Sequence, residues 1–142
     1  MPDGFTILPD TPPEVLAVSG HGTIDAAAYE EVLRPELEAR LARHAHIRLL
    51  YVLEDDFEGF TTGAAISDAR LGLSHLHDFS RIALVTDAEW VNHAVRLFAP
   101  LIPAPLRCFP LSRRREAEAW VSESDPSAEA DADPPLGESF PV

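Results

Sequence analysis

Short runs of consecutive apolar residues alternate along the chain with stretches in which apolar residues recur every three or four positions. That alternation predicts an α/β fold. Phe5-Thr6-Ile7-Leu8 and Glu14 to Gly20 each predict a strand, and Pro9, Pro12 and Pro13 between them predict a turn, so the pair reads as an antiparallel hairpin. From about Asp25 to His44, Tyr29, Leu33, Leu37 and Leu41 recur every four residues beside Val32, which predicts a helix with one apolar stripe. Pro35 lies inside it and predicts a kink or split near Arg34, because proline lacks an N–H and crowds the preceding turn. Ile47 to Leu53 is almost wholly apolar, as a central parallel strand covered on both faces should be. A second helix is predicted from Thr62 to Asp78, with Thr62, Ile66, Ala69, Leu73 and Leu76 inward and Ala65 adjoining. Ser80 to Thr86 predicts another buried strand, and Asp87 a cap for a third helix from Ala88 to Leu101. Pro103 to Phe109 predicts the last strand, followed by a helix capped by Ser112 with Ala117, Trp120 and Val121 inward.

The predicted order is ββαβαβαβα. It implies a single α/β domain in which a mixed, mostly parallel five-stranded sheet is packed with four helices, because strands joined through helices pair in parallel. The 142 residues suit one domain, and 46% apolar content is enough for a core. The composition changes beyond Ser122. Residues 123–142 hold six acids and no Lys or Arg, with Pro, Ser and Ala between them, so a domain over 1–122 and a disordered acidic tail over 123–142 are expected.

Charge then narrows the function classes. A formal net charge of −13 excludes nucleic acid as a partner, since phosphate binding requires Lys and Arg. Cys108 is the only cysteine and sits among Leu106 and Phe109, so it reads as a structural thiol and no disulfide is expected. The N-terminal MPDGFTILPD lacks the features of a signal peptide and no long apolar run spans a bilayer, so a cytoplasmic location is expected, with peripheral membrane contact left open. The six histidines show no zinc spacing, no serine sits in a G-x-S-x-G turn, and neither an EF-hand nor a phosphate-binding glycine loop occurs. No metal, cofactor or catalytic residue is therefore expected, and the chain reads as a non-enzyme.

Several segments in this order resemble the SpoIIAA-like branch of the STAS domain superfamily, whose topology is akin to the CRAL-TRIO lipid-binding fold. They are Gly22-Thr23-Ile24-Asp25, Leu33-Arg34-Pro35-Glu36-Leu37-Glu38, Asp56-Phe57-Glu58-Gly59-Phe60, Ser80 to Trp90, Arg107-Cys108-Phe109 and Glu116 to Val121, spread over about 1–122. The resemblance implies a small bacterial domain without established enzymatic activity, proposed to bind apolar ligands or membranes. Anti-sigma-factor antagonists of the superfamily are switched by phosphorylation of a serine at the start of the second helix. Here that region reads Gly59-Phe60-Thr61-Thr62-Gly63, without the Asp-Ser-Ser-Gly signature. Thr61 and Thr62 are the regulatory candidates that the resemblance leaves, and helix capping is their plainer role.

Three surfaces compete for function. The third helix carries Trp90, Val91, Ala94, Val95, Leu97, Phe98, Leu101 and Ile102, too many for one stripe, and is the candidate site for an apolar small molecule, a lipid or membrane surface, or a homodimer contact. The acidic loop Glu54, Asp55, Asp56 and Glu58 follows a predicted central strand, where α/β sheets bind ligands, although a solvated loop before a helix is its plain reading. Arg113, Arg114 and Arg115 form a candidate anion patch that could also receive the acidic tail. An apolar ligand or lipid is the leading expectation, and a STAS-type regulatory protein partner the alternative.

Overall fold

The computed structural model describes residues 3–75 and 77–123. The predicted tail lies outside the described residues apart from Glu123. Five strands form one sheet in the order β1-β2-β4-β6-β7, comprising β1 (Gly4–Ile7), β2 (Val15–His21), β4 (Ile47–Leu53), β6 (Phe79–Val85) and β7 (Leu106–Phe109). β1 and β2 are antiparallel and every other pair is parallel, as the hairpin and the helix-joined strands predicted. β4 is central and pairs on both edges, in keeping with its almost wholly apolar run.

Both faces of the sheet are covered. On one, Leu16 and Val18 of β2, Leu53 of β4 and Leu84 of β6 pack beneath the first helical segment, α3 (Thr62–Ser74) and α4 (Glu89–Phe98). On the other, Val15, Ala17, Leu50, Val52, Ala83 and Val85 pack beneath α5 (Arg114–Ser122) through Ala117 and Val121. Gly20 of β2 leaves room for this packing, since a Cβ there would lie 2.7 Å from Ile24 Cδ1 and 3.0 Å from Leu53 Cδ2. Gly22 holds φ at +57°, a left-handed turn that glycine adopts without strain, just beyond the end of β2.

The first helical segment departs instructively from expectation. Asp25 caps it, accepting from the Ala28 N–H at 3.0 Å. α1 (Ala26–Ala28) then widens into a π turn over Tyr29–Leu33 before α2 (Arg34–Leu41) resumes with Pro35 in its first turn. The Arg34 N–H bonds to the Tyr29 carbonyl five residues back, so the segment absorbs the proline by local widening rather than by splitting. Tyr29, Leu33 and Leu37 face the core as the stripe predicted, and α2 ends three residues earlier than expected.

α3 corrects two expectations. It ends at Ser74, where Asp78 accepts from or pairs with His75 Nδ1 at 2.8 Å and the Asp78 N–H closes back on the His75 carbonyl. Its buried residues are Ala64, Ser67 and Leu71, while Ile66 and Leu73 are 52% and 74% exposed. Leu76 lies outside the described residues. Two predicted caps are also corrected. Thr86, not Asp87, accepts from the Ala88 N–H before α4, and Asp87 instead accepts from the Leu111 N–H at 2.9 Å. Ser112 lies within a 3₁₀ turn, Leu111–Arg113, that leads into α5 without a side-chain cap.

A second, two-stranded sheet escaped the sequence reading. β3 (Thr23–Ile24) pairs in parallel with β5 (Gly59–Phe60), and the Thr61 N–H bonds to the Ile24 carbonyl at 2.9 Å. It fixes the loop after β4 over the carboxyl ends of the parallel strands.

The C-terminus of α5 is held from below. The register sets Arg48 of β4 opposite Arg81 of β6, and both reach that helix end. Arg48 donates to the carbonyls of Val121 and Glu123, and Arg81 to that of Trp120 at 2.5 Å and to the Glu123 carboxylate at 3.2 Å. Cations suit the negative end of a helix dipole. The Arg81 guanidinium also lies 5.0 Å from the centre of the Trp120 ring. Arg81→Ala is therefore expected to destabilise the domain by about 1–2 kcal/mol. Urea unfolding would measure it as a lower midpoint at unchanged slope.

Candidate functional site

α3 and α4 stand side by side over the sheet with few close approaches between them. The side chains α3 turns toward the gap include Ala65, Ala69 and Gly72, which are too small to fill it. The result is a cavity of about 680 Å³. Its floor is Leu49, Tyr51 and Leu53 of β4, Ile82 and Leu84 of β6, and Leu106 of β7. Tyr29, Leu33 and Leu37 close one side, and Trp90, Val91, Ala94, Val95 and Phe98 of α4, with Leu101 and Ile102 beyond it, close another. That volume lies within the range of cavities that hold small organic molecules.

Of the seven residues predicted to bind on the third helix, the structure brings Trp90, Val91, Ala94, Val95, Phe98 and Leu101 to this cavity. Leu97 points away and is 78% exposed. Trp90 is braced by the loop after β4, stacking on Phe57 at 6.1 Å between ring centres and meeting Phe60 edge-on at 6.0 Å. The helix and the loop, which the sequence offered as separate candidates, thus meet at one aromatic cluster. Leu73, Phe98 and Leu101 line the cavity and also expose much of their surface, so apolar surface continues outward from it.

One carboxylate among the described residues projects among these apolar walls. Asp68 of α3 lines the cavity beside a pair of tyrosines, Tyr29 and Tyr51, whose hydroxyls share a hydrogen bond of 2.8 Å. Asp68 retains accessible surface because it faces the cavity, yet the protein packed around it desolvates its carboxylate and raises its pKa from 3.8, an effect the Tyr29 hydroxyl partly offsets. Burial likewise raises both phenols above their ordinary value. Sequence reading placed Tyr29 and Tyr51 in the core and passed over Asp68; the signal was an acid set among Ala65, Ile66 and Ala69 on an amphipathic helix.

The raised Asp68 has a signed consequence. The folded state holds this proton to higher pH than the unfolded chain does. The carboxyl therefore costs no stability below about pH 4 and lowers stability as pH rises from there through its folded pKa. Asp68→Asn is expected to melt higher than wild type at neutral pH, with the difference shrinking toward zero as pH falls to 4. Thermal melts of both proteins across that window would check it.

The remaining candidates are resolved by their contacts. Thr61 caps α3, its hydroxyl accepting from the Ala64 N–H at 3.0 Å, and Thr62 is exposed in the first turn. In the acidic loop, Glu54 pairs with Arg114 at 3.0 Å and Asp56 with His21 Nδ1 at 3.0 Å. The arginines do not converge, since Arg114 turns to Glu54 and Glu118, Arg113 lies 4.0 Å from Glu116, and Arg115 is exposed. Among the described residues no three His, Cys, Asp or Glu side chains gather as a metal site would need. Cys108 is partly buried, and desolvation raises its thiol pKa, which disfavours the reactive thiolate.

One arrangement looks catalytic. The Ser19 hydroxyl lies 2.9 Å from His21 Nε2, and His21 Nδ1 lies 3.0 Å from Asp56. The order of atoms is that of a serine triad. Ser19, however, is 2% exposed and does not line the cavity between α3 and α4. The three residues instead tie the end of β2 to the loop after β4.

Comparison with known proteins agrees with this architecture. The model of the family described as SpoIIAA-like matches residues 15–122. A crystal structure from Shewanella loihica PV-4, described as an uncharacterized protein from the DUF3478 family with a SpoIIAA-like fold, is similar at 27% identity and a TM-score of 0.68, over 83% of this chain and 94% of that one. No curated protein matches.

Proposed function

Because the chain belongs to the SpoIIAA-like family, whose fold supports a binding or regulatory module, we propose that it is a non-enzymatic binding module that takes an apolar small molecule or lipid between α3 and α4. The observation that carries this reading is the cavity of about 680 Å³, walled mainly by apolar side chains, with Asp68 the one carboxylate among the described residues that line it. A cleft of that size leaves apolar side chains facing water, and covering them with a ligand gains about 25 cal/mol per Å² of apolar surface buried. The exposed apolar residues that run on from the cavity, Leu73, Phe98 and Leu101, offer a route by which a lipid could pass from a membrane surface, although no helix among the described residues is long and apolar enough to cross one.

Native mass spectrometry of freshly purified protein tests the reading. A bound mass that is released on denaturation and extracts into organic solvent is expected. Repeated absence of such a mass, together with no binding to liposomes, would remove it. A phosphorylation switch at Thr61 or Thr62 has less behind it, because the Thr61 hydroxyl is already committed to the α3 cap.

A further inference from the structure

We propose that the cavity selects an apolar molecule with a cationic amine head, held by Asp68, and disfavours fatty-acid carboxylates; the proposal rests on the cavity between α3 and α4 being the ligand site. Among the described residues no Lys, Arg or His lines that cavity. Asp68 takes part in none of the ion pairs formed among the described residues. Its polar neighbours are the paired hydroxyls of Tyr29 and Tyr51. Asp68 is exposed where it lines this apolar surface, and among the described residues no cation beside it there offsets its charge. An ammonium group on the ligand supplies that cation and leaves the apolar chain to the walls. A ligand carboxylate would instead bring two like charges into a low-dielectric space, which disfavours ionisation of both. The phenols do not reverse this, because burial keeps them protonated. They remain hydrogen-bonding neighbours without positive charge.

Three ligands with one chain and different heads separate the possibilities: dodecylamine, dodecanol and dodecanoate, each below its micelle-forming concentration at pH 7. Binding is read by calorimetry on the full chain, wild type and Asp68→Asn. The amine is expected to bind about ten- to a hundredfold tighter than the alcohol, the range of one charge-assisted hydrogen bond, and the carboxylate more weakly than either. Asp68→Asn is expected to abolish the preference, so that amine and alcohol bind the variant equally, and continued binding of the alcohol shows that the variant is folded. The formal net charge of −13 attracts any cation, so only the preference that disappears in Asp68→Asn counts. An amine preference that survives Asp68→Asn, or carboxylate binding equal to amine binding, would overturn the proposal while leaving the cavity as a ligand site. Failure of all three ligands to bind would overturn both.

Discussion

Replacing Ala94 with Trp is expected to abolish binding of an apolar probe such as dodecanol while the domain stays folded. Ala94 lies on the inner side of α4 between Trp90 and Phe98, and all three line the cavity. An indole at that position projects into space that a ligand chain would use. Loss of most of the chain's contact with the walls should weaken binding by about a hundredfold or more, since each buried CH₂ contributes about 0.8 kcal/mol. Stability should not fall, and a rise is expected if the indole is accommodated, because it buries apolar surface in a place that now has none to meet it. Leu97→Trp is the matched control. It puts the same side chain on the same helix at a position that faces solvent. Probe binding unchanged by Ala94→Trp, or reduced equally by Leu97→Trp, would place the ligand elsewhere.

That contrast between Ala94 and Leu97 also marks how far the sequence could be read. Composition showed that the third helix was too apolar for one stripe, and six of the seven residues singled out line the cavity. Which apolar residue would face outward depended on how α4 rotates over the sheet, and Leu97 is ordinary on composition. The strands and their parallel order were legible because β2, β4 and β6 each carry an apolar run and are joined through helices. α3 was misread for a physical reason. Of its inward positions only Leu71 is large and apolar, beside Ala64 and Ser67, whereas the hydrophobic residues Ile66 and Leu73 are exposed. On α3 exposed apolar residues do not mark the core, so the stripe rule fails there. Asp68 was hidden for the same reason.

Long-range polar contacts were not legible at all. His21 and Asp56 are 35 residues apart, and Arg48 meets the carbonyl of Val121 across 73. No local pattern encodes those partners. The two-residue strands β3 and β5 are too short to show any periodicity, yet they carry the loop that braces Trp90.

The His21 cluster gives the second large effect. His21→Ala is expected to destabilise the domain by about 2–4 kcal/mol, from the lost packing of a buried ring and from a stranded Ser19 hydroxyl. At about 4 °C per kcal/mol for a domain of this size, the melting temperature should fall by roughly 8–16 °C. Ser19→Ala removes one hydroxyl and leaves the bond between His21 and Asp56, so a loss of about 1 kcal/mol is expected. The ordering of these two variants tests whether the cluster is a structural tie. If Ser19 were instead a poised nucleophile, a fluorophosphonate probe would label the native protein at that residue. Labelling should not occur, because the hydroxyl is 2% exposed. The tie also has a consequence for binding. Asp56 adjoins Phe57, which stacks on Trp90 at the cavity. His21→Ala should therefore weaken dodecanol binding at temperatures where the variant is still folded, through loosening of the aromatic brace. Unchanged affinity in the folded variant would show that the β3–β5 pairing and the Glu54–Arg114 pair hold the loop in place without the His21 tie.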